Sequence, residues 1–375
     1  LLISENATLL TQLANRAELT YSRVPTLAQD YYESILQDLL SFRILENQNK
    51  RRHKLRLPRE ESRRALRISQ PSKNAFLRPP IRLDYGENAL PAPSALKAHL
   101  LEAFVRQNIS EEEADPSPPL LRFLGERFGI ESIPGQEWLI SSHGVAPLFS
   151  KLAAACAHTG GTLLFPSGTY GYFVSSARMH GCNVRVLKTS LKNSFKWTPE
   201  ILLKDRGKGR PWIFLNLPVV NPTGAVYQPD EVAALICLSQ KLNPVWIFDT
   251  IFSGLEFQDP LVGYQLYEIL RRTGVFNDFV ILGGISKEIA AGGIRYGFAY
   301  TRSPNLAQIL QNRPRLSPHS TILFAARKTY ESLLNPSGEL VSHLREQKRI
   351  LKARAEALAH TLQICGWTPL PPEGG

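Results

Sequence analysis

The sequence predicts an α/β fold, a mostly parallel sheet with helices on both faces, and three observations carry that expectation. From about Ile81 onward, short apolar runs of strand length alternate with amphipathic stretches, the pattern of a chain that threads a core and returns along its outside. Two of the intervening stretches, 146–157 and 230–241, repeat their apolar residues at the 3.6-residue spacing of a helix packed on one face. Turn-forming residues rich in glycine and proline follow several of the runs, and loops at the carboxyl ends of strands are where such sheets hold ligands.

In chain order, the runs 138–141, 162–165, 184–187, 212–215, 245–248, 280–282 and 297–300 are the expected strands, with helices between them. Ser110-Glu111-Glu112-Glu113 has the spacing of a capping box, but Pro116, Pro118 and Pro119 predict that any helix there is short. Pro229 stands just before 230–241, a position suited to a helix start. After Tyr300 the pattern becomes helical, over 306–310, 321–334 and 338–364, and the last stretch is expected to lead into a second, smaller domain.

A chain of 375 residues, 43% of them hydrophobic, can bury a substantial core. No apolar run reaches the ~18 residues of a membrane span, and the start lacks the basic-then-apolar pattern of a secretory signal. The missing initiator methionine suggests a segment of a longer polypeptide. Cys156, Cys182, Cys237 and Cys365 are scattered, which argues against a disulfide framework or a zinc site and for a reducing, cytoplasmic compartment. Much of the net charge of +11 lies in 50–67, which has almost no aromatic residue to stack on bases. It reads as an exposed linker with non-specific affinity for polyanions, not as a specific nucleic-acid site. Leu9, Leu13, Asn15, Arg16 and Leu19 recur as Leu306, Leu310, Asn312, Arg313 and Leu316. Either two amphipathic helices share a spacing by chance or residues 1–48 are the tail of a preceding copy of the same fold.

The chemistry concentrates around Lys287, which Arg295 follows eight positions later within Gly293-Ile294-Arg295-Tyr296-Gly297. The spacing suits a lysine that holds an aldehyde cofactor as a Schiff base and an arginine that clamps its phosphate. A lysine amine, pKa ~10.4 when unperturbed, becomes a nucleophile at neutral pH only beside a cation or out of water, and a guanidinium binds phosphate through two parallel hydrogen bonds. Alone, the pair reads as a solvated helical face. Upstream, Asn221-Pro222-Thr223-Gly224 follows the strand 212–215, and Asp249 ends the run 245–248. A strand-end aspartate ordinarily caps the next turn, but an ionised one also keeps a pyridine nitrogen protonated, while Asn221 could donate to a phenolic oxygen. His143-Gly144-Val145 precedes the helix from Ala146, where free backbone N–H groups make an anion site. Tyr170, in the loop after 162–165, could stack on a flat ring.

In this order the glycine turn, aromatic loop, Asn-Pro-x-Gly, strand-end aspartate and Ser-Lys with Gly-x-Arg-x-Gly resemble the fold-type I pyridoxal 5'-phosphate (PLP) enzymes, the aspartate aminotransferase superfamily, from about Ile81 to the last residue. The resemblance implies a PLP-binding large domain over about 120–315 and an α+β small domain from flanking segments, incomplete at the carboxyl end. It implies Lys287 as the Schiff-base lysine, Ser286, Arg295, Gly144 and Val145 near the phosphate, Asn221 at the phenolic oxygen, Asp249 at the ring nitrogen and Tyr170 against the ring. It further implies an amino-acid substrate and a homo-oligomer.

The strings 104–111, 249–257 and 316–321 also resemble the carboxyl-terminal aminotransferase-like region of plant-type methionine S-methyltransferases, in which a methyltransferase domain comes first. That resemblance implies a covalently linked methyltransferase domain outside this chain, since no glycine-rich turn that would hold S-adenosylmethionine is visible here. It also makes 1–48 a helical tail, 49–80 a basic linker and 81–375 the aminotransferase-like domain. Phe252 stands where the superfamily often has a tyrosine, and Gly284 where a phosphate-binding serine is common. The arginine that usually grips a substrate carboxylate is expected beyond Pro371-Pro372-Glu373-Gly374-Gly375. Two readings follow: a PLP enzyme transferring an amino group, with decarboxylation and elimination open, and a non-catalytic module that stabilises or regulates an attached methyltransferase.

Overall fold

All seven expected strands form one sheet in the computed structural model, which describes residues 88, 90–106, 115–204, 207–258, 266–275, 278–312, 317–364 and 366–375. The expected tail 1–48, the linker 49–80 and the capping box at 110–113 lie outside the described residues. The strands are β1 (Trp138–Ser142), β2 (Thr162–Pro166), β3 (Asn183–Leu187), β4 (Pro211–Asn216), β5 (Val245–Asp249), β6 (Phe279–Gly284) and β7 (Gly297–Thr301). Their order is β1-β7-β6-β5-β4-β2-β3. The neighbours from β6 to β3 are parallel, and β7 is antiparallel to both β1 and β6. The fold class is therefore the expected one, with one strand reversed. Because β7 runs against the rest, its first residue lies at the edge where the other six strands end, and Gly297 pairs with both Ser142 and Gly284.

Helices α1 (Ser94–Arg106) and α2 (Ser117–Phe128) precede the sheet. Within it come α3 (Val145–His158), α4 (Gly171–Met179), α5 (Pro199–Lys204), α6 (Pro229–Ser239) and α7 (Leu266–Arg272). After β7 follow α8 (Pro304–Gln311), α9 (Ser320–Leu333) and α10 (Glu339–Ile364). The same prolines start a helix: they stand at the N-cap and in the first turn of the twelve-residue α2, where a missing N–H costs nothing because helix starts leave those donors unpaired anyway. Of the 26 residues of α10, the buried ones are Leu340, Leu344 and Gln347, all in its first third.

Successive strand residues point to opposite faces, and the two faces carry separate cores. Phe165, Phe214, Ile247 and Leu282 meet Leu148 and Phe149 of α3 and Phe173 of α4. On the other face Ile213, Leu215, Trp246, Phe248 and Ile281 meet α2, α6 and α9 through Phe123, Ile236 and Tyr330. Alternation then places Asn216 on the side of Phe214, and Asp249 on the side of Ile247, at the carboxyl edge of the first core.

Candidate active site

The reversed strand β7 brings two sequence-distant groups together. Gly144 is the N-cap of α3, with φ 90°, a conformation that glycine adopts without a Cβ clash, and no side chain caps the helix there. A β-carbon added at Gly144 would lie 2.9 Å from Arg295 Nη2. The guanidinium thus stands directly against the amino end of a fourteen-residue helix, whose open N–H groups and macrodipole attract an anion. Arg295 itself has φ 60°, a left-handed conformation costing a side-chain-bearing residue about 1–2 kcal/mol, and its Nη1 donates to Gly292 O at 3.3 Å. Val145, the first helical residue, is buried, and His143 is exposed. Ser142 Oγ, at the end of β1, is a buried hydroxyl without a hydrogen-bond partner. A guanidinium against the open amino end of a helix, with an unpartnered hydroxyl at the end of the preceding strand, fits a phosphate group.

The second half of the site is acidic. Asp249 is buried at 3% exposure, and its Oδ1 accepts from Ile251 N at 3.3 Å while its Oδ2 accepts from Asn216 Nδ2 at 2.9 Å. Burial over the Phe214–Ile247 layer pushes its carboxyl up to about 7, opposed by those two hydrogen bonds and by the charge of Lys287. A buried carboxylate raised this far gains most from a further cation or N–H donor, and a protonated ring nitrogen supplies both. Lys287 lies in the turn after β6, half-buried, with Nζ 5.9 Å from the centre of the Phe252 ring.

The remaining expected residues ring the same edge. Tyr170, 52% exposed, precedes α4. Its ring stacks on Tyr172 at 6.3 Å and meets Phe173 edge-on at 5.9 Å, and Phe173 packs on Phe214 at 4.8 Å. Asn221 is half-buried in a turn closed by Val220 N to Ala225 O and Gly224 N to Val220 O, both 2.8 Å. A β-carbon at Gly168 would touch Pro222 Cδ at 3.4 Å, so the Tyr170 and Asn221 loops abut. Ser286 is half-buried just before Lys287. At Gly284 a β-carbon would come within 2.6 Å of Tyr296 O, so the serine common at this position in the superfamily does not fit the backbone here. The structure thus sets Arg295 against Gly144 and puts Lys287 within electrostatic reach of Asp249, with Tyr170, Asn221 and Ser286 in loops at the same sheet edge.

Sequence reasoning passed over two groups. Asn216 is directly opposite Asp249 in the β4–β5 register; the signal was available, since a polar residue ends an otherwise apolar run just as Asp249 does. The other is a buried polar floor under Lys287. Arg127 of α2 bonds Glu288 Oε1 at 2.8 Å and Ser253 Oγ at 3.2 Å, while Gln347 of α10 donates to Glu288 O at 2.7 Å. Gly254, φ 92°, leaves room for this pair, because a β-carbon there would collide with both the Glu288 carboxylate and the Arg127 guanidinium. Nothing local announces it: the partners are far apart in sequence, two on helices and two in the turns after β5 and β6.

Comparison with known proteins gives the family. The model of aminotransferase class I and II matches residues 123–375. Methionine S-methyltransferase of Zea mays is 30% identical over 390 residues, covering 97% of this chain and 35% of that protein. The Hordeum vulgare protein of the same name is 31% identical over 400 residues, covering 100% of this chain and 36% of that protein. The chain therefore spans little more than a third of the length of these relatives. Among solved structures, an aromatic aminotransferase from Pyrococcus horikoshii superposes with a TM-score of 0.69 at 19% identity, over 80% of each chain. The expected fold-type I architecture is thereby borne out, and the chain belongs to the aminotransferase class I and II family.

Proposed function

We propose that this chain is a PLP-binding aminotransferase-type domain acting on an amino acid through Lys287, within a methionine S-methyltransferase-like polypeptide. The observation that carries the reading is the convergence at one sheet edge of a two-sided anion site, Gly144 with Arg295, and a buried acid beside an amine, Asp249 with Lys287. When bound, PLP supplies an aldehyde for a lysine amine and an electron-withdrawing ring that stabilises negative charge on the substrate carbon. Arg295, the amino end of α3 with Val145, and Ser286 would hold the phosphate. Asp249 would accept a hydrogen bond from the protonated ring nitrogen, Asn221 would donate to the phenolic oxygen, and Tyr170 would cover a ring face. Lys287 Nζ would be the base that takes and returns the substrate α-proton.

By the same reading the protein is cytoplasmic and oligomeric, and the aminotransferase-like domain runs over 81–375. Among the described residues no helix is long and apolar enough to cross a membrane. A second reading, a non-catalytic module that stabilises or regulates an attached methyltransferase, is favoured by one observation: the relatives are named for methyl transfer and are nearly three times as long as the match. Incubation with PLP, borohydride reduction and mass analysis separate the two. The first reading expects a reduced cofactor adduct on Lys287, absent from Lys287→Ala; protein that takes up no PLP at saturation leaves only the second. Exposure of the loaded protein to methionine and S-methylmethionine, with the visible absorbance followed, then tests amino transfer.

A further inference from the structure

Asn216 is a buried side chain of the site to which the cofactor reading gives no task. Asn216 ends β4, is 3% exposed and donates from Nδ2 to Asp249 Oδ2 at 2.9 Å. Its Oδ1 is buried without a hydrogen-bond partner. On stability alone this is a poor choice, since asparagine is depleted in strands and an unpaired buried carbonyl is costly. The layer beneath it, Phe214 and Ile247, would accept an apolar residue. What the amide provides is a donor aimed at one carboxylate oxygen, while Ile251 N holds the other. An ionised carboxylate has about four acceptor positions, so fixing one on each oxygen sets the carboxylate plane and leaves in-plane positions open for another donor. A protonated carboxyl keeps one acceptor oxygen for Asn216 but loses the charge that strengthens both bonds.

We propose that Asn216 is a positioning residue for Asp249: its amide fixes the carboxylate plane and keeps it the charged partner of a protonated ring nitrogen. This rests on the cofactor reading above. It separates from a merely structural role because its effect depends on one atom of the ligand. Equilibrium binding is measured for PLP and for its 1-deaza analogue, in which CH replaces the ring nitrogen, with Lys287 adduct formation checked by borohydride trapping. In Asn216→Leu, which matches the side chain in shape and removes the donor, PLP affinity is expected to fall roughly 10-fold or more, as for loss of a hydrogen bond to a charged group. Affinity for the deaza analogue stays at the wild-type level. Asn216→Ala, which removes the amide without adding bulk, gives the same contrast if leucine packs badly. Equal losses for both ligands, or no loss for PLP, overturn the assignment while leaving Lys287 as the anchor. Failure of the wild type to form any Lys287 adduct overturns the cofactor reading and this inference with it.

Discussion

Asp249 shows at the scale of one residue how a site can be charged in a way that weakens the fold around it. Its carboxyl is pushed up to about 7 by burial, so it binds its proton more tightly folded than unfolded, where the ordinary value is ~3.9. A group raised in this way favours the folded state below its unfolded pKa, and that contribution is lost as pH rises through the folded value. Without cofactor, Asp249→Asn should therefore match the wild type near pH 4 and exceed it near pH 8, by up to about 4 kcal/mol at ~1.4 kcal/mol per pKa unit. Urea unfolding at the two pH values checks this; a variant less stable at pH 8 would contradict the burial argument. Phe252 acts on the other charge. Its ring faces Lys287 Nζ at 5.9 Å, a contact worth about 0.5–1 kcal/mol when exposed and more when desolvated, and it favours the ammonium form. Phe252→Leu is expected to make Lys287 react faster with pyridoxal phosphate below pH 8, read by stopped-flow absorbance; an unchanged rate would remove the ring from the account. Lys287, Asp249 and Asn221 were legible because each follows an apolar run. Asn216 follows the same rule but belongs to no motif with a chemistry of its own, and the Phe252 contact depends on a turn that no spacing fixes.

At the scale of elements, strands were legible and the order of strands was not. Each apolar run is long enough to be a strand whichever neighbours it takes, but the reversal of β7 comes from the tight turn and single 3₁₀ turn at Gly292–Ile294 that replace a crossover helix between β6 and β7. That reversal, invisible in hydrophobic periodicity, is what carries Arg295 to Gly144. The length of α2 was harder to foresee because proline reads as a breaker until the register of the first turn is known. Between elements, the Arg127–Glu288 pair ties α2 to the Lys287 turn at side-chain exposures of 24% and 8%. Removing one partner of such a pair leaves the other buried and uncompensated, so Arg127→Ala should cost about 3–5 kcal/mol. Replacing both, Arg127→Met with Glu288→Met, should recover most of that loss. Denaturant midpoints of the single and double variants decide; a double variant as weak as the single one would mean that packing, not charge, is what the pair supplies.

At the scale of the whole molecule, one limb of the chain reaches three of the loops that carry the proposed chemistry. From α10, Gln347 holds Glu288 O beside Lys287. Beyond α10 the segment 371–375 lies between the other two loops: Glu373 N donates to Gly224 O at 2.8 Å, Phe257 N to Glu373 O at 2.8 Å and Gly375 N to Leu255 O at 3.1 Å. To these backbone bonds a side chain adds another, Val226 N donating to Glu373 Oε2 at 2.7 Å. Asn221 lies five residues before Val226, and Asp249 eight before Phe257, so the segment braces the two loops against each other by backbone bonds, and Glu373 adds a tie that substitution can cut alone. Hydrogen exchange reads that tie directly. In Glu373→Ala the Val226 amide should exchange at least ~10-fold faster, as expected for loss of a charge-assisted bond, while the Leu217 amide, held by Asp249 O within the sheet edge, keeps its protection. Glu373→Gln, which retains a carbonyl acceptor, should fall between the two. If every amide of β4 and β5 accelerates together, the segment supports the sheet as a whole, and if Val226 alone stays protected, the loop holds its shape without the limb. The selective outcome is the one the bonding pattern requires, because the backbone bonds survive the substitution and only the carboxylate is lost.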